Sequence, residues 1–173
     1  MSQKKEADWR PSDRLAELLQ NLRNLQTTIH TGEEEGYEYL EGGSVCIEAD
    51  NPSGGDPLFI DLEDGFTVTL GEWEAYYEAD EEDWKLLTEE LNRLLQNEMY
   101  TVVVYCRDAW ICSMTIEEAE ISAGTVKKQL KEFLHSADCD SFISLIREKG
   151  AGVRCAFWTG GKKNVRLRPG ELK

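Results

Sequence analysis

Histidine is almost missing from this sequence: there are two, His30 and His135. So few imidazoles leave little for a nucleophile–base pair, and no paired Cys or His spacing marks a zinc site. Basic residues are scarce beside acidic ones, 19 against 34, for a net charge of −15. That balance repels nucleic-acid phosphates and anionic membranes, so neither is expected as a partner. It suits a basic protein partner, or simply a solvated surface. Long apolar runs are absent too. The longest, Val102-Val103-Val104-Tyr105-Cys106, is far too short to span a bilayer. No apolar core follows Met1-Ser2-Gln3-Lys4-Lys5-Glu6, so no signal peptide is expected and a cytoplasmic protein is the default. The five cysteines (Cys46, Cys106, Cys112, Cys139, Cys155) are odd in number and set in apolar patterns. Buried free thiols are expected, not a disulfide frame.

What the chain does have is enough length for one domain with a core, 173 residues, 40% of them hydrophobic, with five Trp, six Tyr and five Phe. The charge is uneven. Residues 33–90 hold 1 basic and 20 acidic groups, whereas residues 124–173 hold 11 and 5. Opposite signs at the two ends of one chain leave homo-oligomer formation open.

Residues 1–10 read as a flexible arm. Pro11-Ser12 opens a helix, with Ser12 as N-cap, and Leu15, Leu18, Leu19, Leu22, Leu25 and Ile29 give it one apolar stripe up to Thr31-Gly32. His30 falls at its C-terminal end. Tyr37, Tyr39 and the Val45, Ile47, Ala49 alternation predict one bent strand or two short ones. Leu58, Ile60 and Leu62 share a strand face, and Asp64-Gly65 reads as a type I′ hairpin turn into Phe66, Val68 and Leu70. Gly71 releases the chain into a crossing, Glu72-Trp73-Glu74-Ala75-Tyr76-Tyr77-Glu78. Asp80 caps a helix whose stripe is Trp84, Leu87, Leu91, Leu94 and Leu95, and Asn97 stops it. Tyr100 to Cys106 is apolar on both faces, as a covered central strand should be. Arg107-Asp108 turns into a strand with Trp110, Cys112, Met114 and Ile116 inward. Ser122 caps a helix, Asp140 caps another that Gly150 ends, and a last hairpin runs from Val153 to Arg168. The order α-β-β-β-α-β-β-α-α-β-β predicts an α+β fold over residues 11–173, a single domain. It has one mostly antiparallel sheet of about six to seven strands carrying three to four helices.

No motif calls for a cofactor or a metal. His135 lies four residues from Cys139, but it and His30 both sit near predicted helix ends, where a cation suits the dipole. Gly160-Gly161-Lys162-Lys163 lies in a hairpin turn, not in the strand-to-helix setting of a phosphate loop. The remaining candidate is a surface. Glu72, Trp73, Glu74, Tyr76, Tyr77 and Glu78 combine rigid aromatic area with charge that steers a basic partner. The competing expectation is that Trp73 and one tyrosine fill the core.

The stretch from Pro57 to Ile116 resembles a family of small bacterial proteins of uncharacterised function, common in Gram-positive bacteria. Its pattern is close to F-T-L-x-F-G-E-W-H-x-H-Y, followed by an acidic helix start. The matching residues are Phe66-Thr67-Val68-Thr69-Leu70-Gly71-Glu72-Trp73, Tyr77, Asp80 to Asp83, and Tyr100 to Trp110. Gly152 to Trp158 echoes the family's closing segment. Glu74 and Tyr76 stand where the pattern has its two histidines, which puts any imidazole chemistry in doubt. Some similar small acidic bacterial proteins are immunity proteins that neutralise a toxic partner, and the resemblance hints at that role. The first functional reading is therefore a non-enzymatic acidic module that binds protein. The second is an enzyme with a carboxylate-based or metal-assisted site around Asp61, Glu63, Glu72 and Glu74.

Overall fold

The computed structural model describes residues 10–137 and 139–172, so the expected arm, apart from Arg10, lies outside the described residues. The class is α+β, with four helices and two antiparallel sheets of five and four strands among the described residues. Nine strands in two sheets replace the expected six to seven in one. The chain parts into two compact units, Met1–Asn92 and Arg93–Lys173.

In the first unit a 3₁₀ turn, Pro11–Arg14, runs into α1 (Leu15–Asn21). The helix stops eight residues short of Ile29, and Ser12 is not its cap. Residues Thr27–Thr31 form strand β1 instead. Three threonines and an isoleucine crowd the preceding turn of a helix but suit a pleated strand, and that β-branched run outweighs the leucine spacing. The other strands are β2 (Val45–Ala49), β3 (Leu58–Leu62), β4 (Gly65–Leu70) and β5 (Trp73–Glu78), in spatial order β1-β2-β3-β4-β5. Tyr37 and Tyr39 lie in the loop between β1 and β2 rather than in a strand. The supposed crossing at Trp73 is thus an edge strand. Gly71 (φ 59°) opens the two-residue turn, and Leu70 pairs Trp73 across it, which fits the glycine-first hairpin.

The Asp64-Gly65 turn is not type I′, because neither residue has positive φ. Gly65 already belongs to β4, opposite Glu78. Glycine is required there for space: a Cβ would lie 2.5 Å from the Tyr76 hydroxyl and 2.6 Å from the Tyr77 carbonyl.

Registers set Ile29, Ile47, Ile60, Val68 and Ala75 in one row of the sheet, flanked by Leu58, Leu62, Phe66, Trp73 and Tyr77. This is the apolar face. Helix α2 (Glu81–Leu95) supplies Trp84, Leu87 and Leu91 to the buried core, and Trp84 meets Phe66 with ring centroids 5.4 Å apart. Asp80 caps α2 as expected, its Oδ1 accepting from the Glu82 and Asp83 amides at 2.9 and 2.8 Å. Asn97 (φ 57°) closes it, with the Glu98 amide donating to the Arg93 carbonyl.

The second unit holds β6 (Tyr100–Cys106), β7 (Ala109–Ile116), β8 (Ala151–Ala156) and β9 (Lys162–Leu167), ordered β7-β6-β8-β9. Its helices are α3 (Ala123–Ser136), capped by Ser122, and α4 (Asp140–Lys149), ended by Gly150 at φ 74°. Their buried Val126, Leu130, Leu134, Ile143 and Ile146 share one cluster with β6 and β8. β6 is the covered central strand that its sequence predicted. The expected inward Trp110 is corrected: it is 54% exposed. Ile111 is an extra residue between the pairs Tyr105–Trp110 and Val104–Cys112, and this bulge inverts the alternation. All five cysteines are free thiols, four of them buried.

Candidate functional site

Strand alternation sorts the six residues singled out in the sequence. Trp73 and Tyr77 point to the apolar face, each 4% exposed, and belong to the core. The Tyr77 hydroxyl donates to the Glu90 carboxylate of α2, and burial together with that charge holds the phenol protonated. Glu72, Glu74, Tyr76 and Glu78 are exposed. Tyr76 is 52% exposed, and its hydroxyl faces Glu78 Oε2 at 3.4 Å. Any binding surface here is therefore built from the glutamates and Tyr76, on the polar face of the first sheet.

That face is wider than the stretch read from the sequence. Registers place His30, Cys46, Asp61, Thr67 and Tyr76 in one row, and Thr28, Glu48, Phe59, Thr69 and Glu74 in the next. His30 is on β1, not at a helix end. Its Nδ1 meets Glu34 Oε2 and its Nε2 meets Glu48 Oε2, both at 2.8 Å. Tyr37 stacks flat on the imidazole, centroids 4.0 Å apart and planes 5° apart. The bond to Glu34 raises the His30 pKa; burial opposes it, and Glu48 adds to the rise. Glu34 is held low in turn by His30 and by the Thr31 amide, which donates to it at 2.9 Å. Both ring nitrogens thus face carboxylate oxygens, a geometry that favours the protonated imidazole.

One residue along the same row sits Cys46. A Cys–His–Asp row invites a catalytic reading, but the bonding is wrong for it. Both imidazole nitrogens are turned to glutamates, so neither is placed to take the thiol proton. Burial and the Asp61 carboxylate push the Cys46 thiol far above its ordinary range. The Tyr39 hydroxyl also donates to Asp61 Oδ1, at 3.0 Å. Burial and Asp61 raise that phenol's pKa as well. Tyr39 itself is 48% exposed, a second aromatic at the surface of this face.

The four carboxylates of the enzyme reading do not gather in one site, although burial and the neighbouring Asp61 charge raise the Glu63 pKa. Glu63 and Glu72 flank opposite ends of the six-residue β4, roughly 20 Å apart at strand rise. Asp61 and Glu74 lie two strands and one row apart, about 12 Å. A groove of about 530 Å³ is lined by Ala16, Glu17, Gln20, Asn21, Trp84, Thr88 and Asn92 and takes none of the four. Among the described residues no group of three or more His, Cys, Asp or Glu is arranged to hold a metal ion. His135 meets Asp140 at 3.1 Å, and Cys139 contacts the Ala137 carbonyl at 3.3 Å, so the two do not pair. Among the described residues no helix is long and apolar enough to cross a membrane.

The sequence did carry a signal for the wider face. Glu33-Glu34-Glu35-Gly36-Tyr37-Glu38-Tyr39 mixes acid and tyrosine as residues 72–78 do. Only strand pairing shows that both segments serve one side of one sheet. Compared with protein-family models, with curated proteins and with solved structures, the chain matches none.

Proposed function

We propose that the first unit is a non-enzymatic protein-binding module whose acidic, tyrosine-bearing sheet face receives a basic partner. The observation that carries this reading is the joint exposure of Tyr39 and Tyr76 on the face that also holds Glu34, Glu48, Asp61, Glu74 and Glu78. Tyrosines offer rigid contact area at small entropic cost, and carboxylates around them speed the approach of a cationic surface. The His30 clamp and the Tyr39–Asp61 bond hold that surface in one shape before contact, which lowers the ordering cost of binding. An immunity-like role, neutralising a basic toxic protein, is the form of this reading that the family resemblance suggests. The separation of Asp61 and Glu63 from Glu72 and Glu74 weighs against the carboxylate enzyme.

The test is capture of the partner from the native cell, its identification by mass spectrometry, and titration of the purified pair at low and high salt. Glu74→Lys with Glu78→Lys and Tyr76→Ala should weaken binding by more than about tenfold at low salt. Equal affinity of that variant would remove the face as the interface.

A further inference from the structure

The second unit holds a cleft of opposite sign to the face just described. It measures about 490 Å³ and is lined by Arg107, Lys149, Arg166 and Arg168, together with residues 150–152, Leu167 and Pro169. Three chain segments meet there: the β6–β7 turn, the α4–β8 junction and the end of β9. Lys149 is already paired with Glu148. The guanidiniums of Arg107, Arg166 and Arg168 are different: among the described residues none has a carboxylate within ion-pair distance. Glu148 senses the Arg107 charge but bonds Lys149. Glu171 accepts from the Arg168 backbone amide and pairs with Lys127. Glu148 and Glu171 feel the charges of Arg107 and Arg168, but among the described residues none of the three arginines forms an ion pair, against what 34 acidic residues would favour.

Backbone geometry points the same way. Arg107 (φ 50°) and Asp108 (φ 65°) occupy a turn that asparagine and glycine suit far better. The two-residue hairpin between paired Cys106 and Ala109 requires those positive φ values, and it sets Arg107 at the rim of the cleft. Gly150 shapes the floor, since a Cβ there would lie 2.5 Å from the Leu167 carbonyl. Gly152 has nothing within 4 Å of its Cβ position, so the space beside this strand is not filled by a side chain.

We propose that this cleft binds a phosphate group borne by a small molecule. Guanidinium forks match phosphate oxygens bidentately, and three of them around one concavity suit a compact dianion. The volume is that of a small-molecule pocket. This site is separate from the acidic face of the first unit and does not depend on its function.

The test is titration of the full chain with inorganic pyrophosphate at low ionic strength, followed by amide NMR. Saturable one-to-one shifts centred on residues 150–152 and 167–168 are expected. Arg166→Ala with Arg168→Ala should weaken binding at least about tenfold, as should Arg107→Asn, which keeps a residue tolerant of positive φ. Lys128→Ala with Lys162→Ala, outside the cleft, should leave it within about twofold. A second arm compares inorganic phosphate with glycerol 3-phosphate: tighter binding of the ester assigns a phosphorylated organic ligand, and equal binding assigns phosphate itself. No saturation below about 10 mM, or equal loss in the lysine control, overturns the proposal.

Discussion

The two sheets handle charge in opposite ways. The unit Met1–Asn92 carries 6 basic and 24 acidic residues, a balance of −18; Arg93–Lys173 carries 13 and 10, a balance of +3. In the first, the polar sheet face spends its histidine and two of its tyrosine hydroxyls on carboxylates, and the outer tyrosines stand in a field of one sign. In the second, among the described residues, Arg107, Arg166 and Arg168 stand around a cleft without an ion pair, although acid is plentiful elsewhere. A net charge of −15 describes neither surface. What a chain attracts is set by which charges its fold places together and which of them it leaves unpaired.

The comparison breaks most sharply at the cores. Phe66, fully buried against Trp84, anchors the first sheet, and Leu130, fully buried on α3, anchors the second. Phe66→Ala should cost about 3–5 kcal/mol and Leu130→Ala about 2–5 kcal/mol. Hydrogen exchange reads each loss in the amides of its own sheet. Uniform loss of protection across both sheets in either variant would mean that the units do not open separately.

Next in size is the close approach that distinguishes the polar face. Gly65→Ala puts a methyl group against the Tyr76 ring and the Tyr77 carbonyl, at an expected cost of about 1–3 kcal/mol. Adding Tyr76→Ala should recover part of it, since the ring can be removed and the carbonyl cannot. A Gly65→Ala protein as stable in urea as the parent would mean that the space is not limiting.

Much of this was legible in the sequence, and the exceptions are instructive. The Asp80 cap, the Asn97 stop, the α2 stripe and the doubly covered β6 follow from local chemistry, and local chemistry sufficed. β1 was missed because Leu25 and Ile29 continue a leucine spacing that β-branched Thr27, Thr28 and Thr31 overrule. β5 was missed because Trp73, Ala75 and Tyr77 alternate against glutamates, a strand pattern hidden by its acidity. With those two strands unread, His30 stayed on a helix, and its row with Cys46 and Asp61 was invisible. A row across a sheet is a property of register, and register is written in no single segment.

A smaller effect tests whether the acidic residues opening α2 act as a cap or as a surface. Asp80→Ala frees the Glu82 and Asp83 amides and should cost about 1 kcal/mol by urea denaturation, while Glu82→Gln costs less because it bonds no amide. Equal losses would mean that charge rather than capping carries the effect.

The smallest effect is the most specific to the first unit. His30 faces Glu34 from its own loop, Glu48 from β2, the Tyr37 ring and the Cys46 thiol. Its folded pKa lies above the usual imidazole value, so it contributes stability that is complete below about pH 6.5 and is lost as pH rises through the folded value. Glu34 has the opposite sign: its folded pKa is lowered, and its contribution disappears as pH falls through that value. The clamp is therefore strongest between the two, in mildly acidic to neutral solution. Because Glu34 lies at the surface, solvent screens part of the attraction, and the effect should be modest. Urea midpoints from pH 6 to 9 should decline in the parent and flatten in His30→Gln, which keeps a donor but cannot titrate. The ring's own NMR titration decides the cause. A midpoint at or below about 6.5 would mean that the carboxylates do not hold the charge, and the face would have lost the cation that orders it.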